Sequence, residues 1–426
     1  ASTNGRTLKS RRLFLSSAQA SAGFLITGVG LPLLGVAALG ISREDGLLGL
    51  SSRVGKGYGL FFTCILYLTI GPFFAIPRCA TVSYTVGVEG VFPGAGQALG
   101  LAVFSLIFFA ATLFFSLRPG EILTWIGKVL NPLFLVFLAV LILRALSSPL
   151  GDIAEILPSG DYEASAFSTG LLEGYNTMDA LAGLAFGIIV VDVIRKLGVE
   201  EPKEVAKNTV YAGIFSSLLM ALIYLLVTVV GAQSRGMCEA SSNGGEALAQ
   251  IADYYFGRAG AVILAATVTV ACLKTSVGLI TSCGETFVKI IPKGPSYPVW
   301  ASGFCILSFL IANLGLDAII AYSLPVLMFL YPLAIVLILL TLFGKLFQDD
   351  RTVLQWTIGL TAVSAVFDFL RALPEGTRAA LHADGIVGLA DRLVPFASLG
   401  FGWIFPALLG LGIGLCIRNF RKREAA

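Results

Sequence analysis

The sequence predicts an all-α, polytopic membrane protein, and three observations lead to this prediction. The 426-residue chain is 56% hydrophobic and only 13% charged, whereas a soluble domain carries about 25% charged residues. Its mean hydropathy of +0.87 is high along most of its length. It also has 48 glycines, which let membrane helices pack closely. Such a chain lacks the charged surface of a soluble domain, so its expected partner is the lipid bilayer.

Eleven runs of about 20 residues carry few charges and are long enough to cross the hydrocarbon core as helices. They are 21–41, 58–77, 97–117, 124–144, 166–194, 209–233, 259–283, 297–315, 318–343, 353–371 and 394–417. We therefore expect one transmembrane domain over 21–417. A basic N-terminal tail over 1–20, expected to be disordered, precedes it, and a basic cytoplasmic tail over 418–426 follows it.

The Lys and Arg residues of the short loops predict the orientation, because cytoplasmic loops carry the excess of positive charge. Loops after spans 1, 3, 5, 7 and 9, together with the C-terminal tail, hold sixteen of these residues, and the opposite loops hold seven. The C-terminus is therefore expected in the cytoplasm. With eleven spans the N-terminus falls outside, although the basic residues of 1–20 favour the inside.

Several function classes are excluded by composition. The net charge of +3 is too small to indicate a nucleic-acid partner. One histidine, His382, and seven cysteines without a CxxC spacing argue against zinc and other metal cofactors. The sequence contains no GxxxxGK[ST] loop, so ATP hydrolysis is not expected. We predict that the chain is not an enzyme and has no cofactor.

Span 5 contains the strongest polar cluster, from Gly170 to Asp179. Glycines at 170 and 174 weaken the helix there. A broken helix would free backbone groups at membrane depth, which is tolerated where they line a cavity or bind a ligand. The alternative is a longer outer loop, with the helix starting near Ala180. The candidate binding residues are Glu173, Gly174, Tyr175, Asn176, Thr177 and Asp179.

Prolines inside two other spans indicate kinks. Pro72 and Pro77 bend or end span 2, with Arg78 expected at its mouth, and Pro325 lies inside span 9. A kinked pathway helix or gate is one interpretation. The alternatives are ordinary helix termination after Pro77 and simple packing bends in span 9.

Span 7 carries adjacent hydroxyls at Thr275 and Ser276, next to Lys274. Such oxygens can bind a hard cation, although back-bonding to the preceding helical turn is the common alternative. Lys274 lies near mid-span, so we expect it to pair with Glu173 or Asp179, to face water, or to lose its proton.

These segments resemble the branched-chain amino acid transport system II carriers, which are bacterial leucine/isoleucine/valine:cation symporters. The similar stretches occur in the family's order from residue 23 to about 415. They are 23–32, 71–78, 172–179 with 185–191, 271–280 and 322–332.

The resemblance implies a leucine-transporter-type bundle of twelve helices with inverted repeats, of which about eleven are present here and the first is missing. Span 5 then corresponds to helix 6 and span 7 to helix 8. In such a bundle, helix 8 supplies a sodium site, which falls here on the carbonyl of Cys272 and the hydroxyls of Thr275 and Ser276. Two residues depart from the family pattern, because Lys274 and Thr85 stand where a neutral residue and an acid are expected.

The resemblance also implies a function. We expect a secondary active carrier in the bacterial inner membrane that imports Leu, Ile and Val, coupled to Na⁺ or H⁺, by alternating access. Deprotonation of Lys274, or its charge in place of sodium, could serve the coupling. The alternatives are a carrier for another apolar amino acid, a membrane sensor, and a non-transporting remnant that has lost its first helix.

Overall fold

The computed structural model describes residues 16–42, 44–89, 97–118, 121–153, 160–199, 201–238, 241 and 243–424. These residues form helices and connecting turns, and no strand occurs among them. In chain order the helices are α1 (Ser16–Ser42), α2 (Leu47–Ser52), α3 (Lys56–Glu89), α4 (Gln97–Leu117), α5 (Glu121–Ser147), α6 (Tyr162–Glu173), α7 (Asp179–Lys196), α8 (Pro202–Ser234), α9 (Gly244–Ile290), α10 (Tyr297–Ala312), α11 (Leu316–Leu342), α12 (Arg351–Ala372), α13 (Glu375–Ala380), α14 (Asp384–Leu393) and α15 (Ile404–Glu424).

The prediction of a polytopic all-α membrane protein is confirmed. Within the described ranges, eight helices are long and apolar enough to cross a membrane, and the bent pair α6–α7 makes a ninth. Shorter apolar helices at Pro132–Ser147 and Tyr297–Ala312 fall on two further predicted spans. Each of the eleven predicted spans therefore overlaps a described helix.

Helices extend across both ends of the predicted domain 21–417. Helix α1 begins at Ser16, so the last five residues of the predicted tail 1–20 are helical, while residues 1–15 lie outside the described part of the chain. At the other end, positive φ angles at Phe396 and Gly400 form turns, so α15 starts at Ile404 and not at 394. It continues to Glu424, through most of the predicted tail 418–426.

Between the predicted spans 209–233 and 259–283, the chain is helical from Gly244 onwards. Asn243 caps α9 by accepting a hydrogen bond from the Glu246 N–H, which satisfies one of the free donors of a helix start. The helical turns between Gly244 and Gly257 bury Ile251 and Ala252. Gly257, at φ 59°, then bends the chain into the remainder of α9. Short polar residues before an amphipathic stretch therefore extend this span well beyond its apolar core.

The chain divides into two compact units, and each is described by itself. The first includes Leu68–Ser159 and Ile223–Ile320, and the second includes Ala18–Tyr67, Gly160–Leu222 and Ala321–Ala426. In the first unit, α5 and α9 pack through a core that contains Leu141, Ile142 and Ile251. The prediction of one transmembrane domain over 21–417 stays a prediction.

In the second unit, α1 packs against α6 and α7 at glycine contacts. A Cβ added at Gly23 would lie 2.2 Å from the Phe167 carbonyl oxygen, and one at Gly170 would lie 2.1 Å from that of Ala20. A Cβ at Gly183 would lie 2.9 Å from the Pro32 carbonyl oxygen. The backbones therefore approach more closely than any larger side chain permits, which is the usual packing of small residues in membranes.

We predict that Gly170→Ala destabilises the protein by about 1–3 kcal/mol, because the methyl group has no space beside the Ala20 carbonyl. The measurement is thermal unfolding of the purified protein in detergent. Gly231→Ala is the matched control, since a Cβ there meets nothing within 4 Å and the better helix propensity of Ala adds up to about 1 kcal/mol. Equal melting temperatures for the two variants would contradict the packing described here.

Candidate functional site

The polar cluster of span 5 is a break between two helices. Helix α6 ends at Glu173, a 3₁₀ turn covers Gly174–Thr177, and Met178 adopts a left-handed conformation with φ 60° before α7 begins at Asp179. The two helices are bent by 43°. The predicted break is therefore present. The alternative of a loop up to Ala180 is wrong, because α6 is already helical from Tyr162, apart from a distortion at Ser165.

Thr27 of α1 completes the backbone hydrogen bonding at this break. The Thr27 hydroxyl donates to the carbonyl of Leu171, in the last turn of α6, at 2.6 Å. Thr27 lies in a π-helical turn, Ile26–Gly30. A Cβ at Gly174 would lie 2.0 Å from the Thr27 Oγ1, so the glycine permits the contact. The first span is thus a structural part of the break, which the sequence analysis did not predict.

Most of the predicted binding residues make polar contacts at the break, whereas Tyr175 is buried in the protein interior. Glu173 is exposed, and its Oε2 accepts a hydrogen bond from the Asn176 Nδ2 at 2.9 Å. Thr177 serves the backbone, because its hydroxyl donates to the Gly174 carbonyl and accepts from the Asp179 N–H. Asp179 begins α7, whose first N–H groups lack partners within the helix, as at every helix start. The structure brings these polar groups together within one turn of chain.

Tyr175 faces the protein interior and is only 1% exposed. Its ring stacks on that of Tyr331 of α11, with centroids 4.0 Å apart and planes inclined by 16°. Helix α11 runs from Leu316 to Leu342 through Pro325 and Pro332. No kink at Pro325 interrupts its helical range, and a gating role for this residue stays a prediction.

The kink of α3 lies at Gly71, directly before Pro72. Gly71, with φ −102° and ψ −120°, interrupts the helix, and a regular helix resumes at Ala75. Pro77 occupies the third position of that segment, where a missing N–H costs little. Arg78 is half-buried within α3 and does not lie at its mouth, and its N–H donates to the Phe74 carbonyl. Helix termination after Pro77 is also wrong, since α3 continues to Glu89.

A second hydroxyl stabilises this kink. The Ser308 Oγ of α10 donates to the Pro72 carbonyl at 3.3 Å, inside the first unit. A Cβ at Gly71 would lie 2.6 Å from the Cys283 Sγ of α9, so glycine is required here for close approach. Both helix breaks therefore receive a hydroxyl from a neighbouring helix.

The predicted cation-binding residues lie on a regular part of α9. Ser276 is fully buried, whereas Thr275 is exposed and donates to the Ala271 carbonyl at 3.0 Å, which is the back-bonding alternative. The thiol of Cys272 contacts that of Cys79 on α3. Their role in holding sodium stays a prediction.

Lys274 is exposed and forms no ion pair with a described residue of its own unit. Its expected pairing with Glu173 or Asp179 stays a prediction, as does its role in coupling.

Sequence reasoning missed an acidic cavity of about 350 Å³ in the first unit. Glu89, Glu246 and Asp317 line it, and the Asn243 Nδ2 donates to the two last-named carboxylates at 3.2 and 3.1 Å. Thr85, one turn before Glu89, contacts the Glu89 carboxylate through its hydroxyl. These acids lie at the ends of three spans, so only the tertiary structure brings them together.

A charged cluster in the second unit was also not predicted from the sequence. Asp368, buried near the end of α12, contacts Arg371 at 2.7 Å, and Arg371 also contacts Asp391 of α14. An acid inside an apolar run is a recognised sign of function in membrane helices. This signal was present in the sequence, since Asp368 falls within the predicted span 353–371.

A helix broken inside a transmembrane span, with its backbone groups satisfied by neighbouring helices, is typical of membrane transport proteins. The model of the family "Branched-chain amino acid transport protein" matches residues 15–421. The chain belongs to this family, which is a family of transport proteins and not of enzymes.

Three relatives illustrate the similarity. The branched-chain amino acid permease BrnQ of Lactobacillus delbrueckii subsp. lactis is 53% identical over 95% of this chain and 90% of its own length. The permease BraB of Bacillus subtilis is 37% identical over 94% of this chain and 88% of its own length. The branched-chain amino acid transport system 2 carrier protein of Pseudomonas aeruginosa is 38% identical, with coverages of 95% and 90%.

We predict that Thr27→Val lowers the stability of the protein by about 1–3 kcal/mol, because the isosteric change removes the hydroxyl that donates to the Leu171 carbonyl. Thermal unfolding in detergent measures the effect. Thr27→Ser keeps the hydroxyl and is expected to retain most of the stability. If the valine and serine variants melt alike, the hydrogen bond to Leu171 does not stabilise the break.

Proposed function

We propose that this chain is a secondary active transporter that imports leucine, isoleucine and valine, coupled to Na⁺ or H⁺, by alternating access. Family membership and the names of its relatives support this proposal. The observation that carries it is the break between α6 and α7, which collects backbone and side-chain polar groups inside an apolar span. The break supplies what a small zwitterion requires in a membrane.

The two ends of an amino acid need different partners. The N-terminus of α7 carries the positive end of the helix dipole and suits a carboxylate. The carboxylates of Glu173 and Asp179 suit the ammonium group. Apolar residues around the break would accept an aliphatic side chain. Because one methylene is worth roughly 1–3 kcal/mol, such a pocket ranks leucine, isoleucine and valine only weakly.

The proposal allows either Na⁺ or H⁺ as the coupling ion. Sodium would be held by the Cys272 carbonyl with Thr275 and Ser276, and the burial of Ser276 suits a ligand inside the protein. Lys274 next to this pair would repel sodium, since two like charges in a medium of low dielectric constant repel strongly. Its charge would then replace the ion, or its deprotonation would couple transport to H⁺.

We place the protein in the bacterial inner membrane with its C-terminus in the cytoplasm. The distribution of Lys and Arg between the loops supports this orientation. The last turn of α15 adds Arg421, Lys422 and Arg423, which suit the cytoplasmic membrane surface.

The direct test is uptake of radiolabelled leucine by proteoliposomes that contain the purified protein, under an inward sodium gradient, an inward proton gradient, or neither. We expect accumulation under at least one gradient, with competition by unlabelled isoleucine and valine but not by lysine. The proposal fails if leucine is neither accumulated nor exchanged under any of these conditions.

We predict that Lys274→Thr increases the dependence of leucine uptake on sodium, because it removes a fixed cation beside the proposed ion ligands. The measurement is the ratio of initial uptake rates with and without a sodium gradient. Lys289→Thr, near the end of the same helix α9, is the control for loss of a lysine. An unchanged ratio in Lys274→Thr would show that this lysine does not influence coupling.

A further inference from the structure

Asp368 is a charged residue enclosed by protein near one end of an apolar helix. Its side chain is 3% exposed, and its Oδ1 accepts a hydrogen bond from the Arg371 Nη1 at 2.7 Å. Arg371 uses its second nitrogen, Nη2, to bind Asp391 of the amphipathic helix α14. One guanidinium therefore joins a buried carboxylate of a membrane span to an exposed carboxylate on a short surface helix.

The second oxygen of Asp368 has a different environment. Within the described part of the chain, Asp368 Oδ2 is buried without a hydrogen-bond partner. The Tyr175 hydroxyl, which belongs to the break of span 5, is also buried, and its side-chain hydrogen-bond contact is Trp403. The Asp368 carboxylate lies within electrostatic reach of that hydroxyl. An acceptor and a donor are thus enclosed near each other, next to the proposed substrate site.

The charged and titratable groups around Asp368 come from four elements. Arg371 lies on the same helix, Asp391 on α14, and Tyr175 in the 3₁₀ turn. Arg378 of α13 donates to the Arg371 carbonyl at 3.4 Å and binds Asp384. The balance between Asp368 and Asp391 for one guanidinium therefore determines how well the buried charge is compensated.

We propose that Asp368 is a proton-binding carboxyl, protonated on Oδ2 when Arg371 leaves it for Asp391, and that it links proton movement to the break at Tyr175. This inference rests on the proposed transport function. It identifies the coupling ion as a proton and assigns proton binding to Asp368, which is not one of the residues proposed above. The step balances in atoms and charge: a proton from water binds one carboxylate oxygen, and the guanidinium keeps its charge and its contact with Asp391.

Physical reasons favour a proton over a metal cation at this position. A buried carboxylate that loses its only cationic partner is strongly unfavourable, and protonation removes the charge at once. Hard metal cations take about six oxygen ligands, and Arg371 next to the carboxyl repels them. The one group bonded to the carboxylate is a guanidinium, with a phenol within electrostatic reach, and these suit a neutral carboxylic acid better than a sodium ion.

The first test reads protonation directly and does not depend on transport. Infrared difference spectra of the purified protein in detergent are recorded during a pH titration, with attention to the C=O stretch of a protonated carboxylic acid. We expect a band that titrates in the wild type, shifts in Asp368→Glu and is lost in Asp368→Asn. Asp384→Asn, which removes an exposed acid on α14, is the matched control and should keep the band. A band that persists in Asp368→Asn would overturn the proposal.

The second test separates coupling from transport. In proteoliposomes, Asp368→Asn is expected to reduce accumulation of leucine driven by a proton gradient by about tenfold, within the range of typical coupling free energies. Leucine exchange without a gradient should persist, because the amide mimics the protonated carboxyl. Accumulation equal to that of the wild type would overturn this inference while leaving the proposed function intact. If the wild-type protein does not transport leucine, the proposed function fails, and the infrared titration still decides whether Asp368 binds a proton.

Discussion

The requirement that every backbone polar group be paired within the protein determines where this chain can depart from a helix. In a bilayer an unpaired N–H or C=O costs several kcal/mol. Span 5 departs from helical geometry at Gly174–Met178, and Thr27 of another helix donates to a carbonyl of the preceding turn. In α3, Ser308 does the same for Pro72. At both of these breaks, a hydroxyl on a neighbouring helix donates to a backbone carbonyl.

Close approach of the backbones follows from this requirement, because the short side chain of threonine or serine reaches only a carbonyl on a helix in direct contact. Glycines at 23, 170 and 174 allow α1 to lie directly against α6 and the break. Glycine at 71 allows α3 to approach Cys283 of α9. These four glycines lower helix propensity, but they stand where a larger side chain would separate neighbouring helices.

Much of the fold could be predicted from the sequence, since length and lack of charge identify a membrane span without tertiary information. The break in span 5 was also predictable, because glycines and acids in an apolar run are visible signals. What could not be predicted depends on neighbours distant in sequence: the Thr27 contact and the acidic cavity around Asn243. The helical turns before Gly257 were missed because apolar length alone does not detect a capped extension.

The polar groups of the second unit differ in how completely they are satisfied, and this difference separates structure from chemistry. Thr27 and Thr177 have their partners and stabilise the backbone. Asp368, although buried, keeps an oxygen that no described group satisfies. A fold under strong pressure to pair its polar groups retains such an atom at a cost. This oxygen lies on a carboxylate within electrostatic reach of Tyr175 at the break, which is why the proposed proton binding is assigned to Asp368 and not to the threonines.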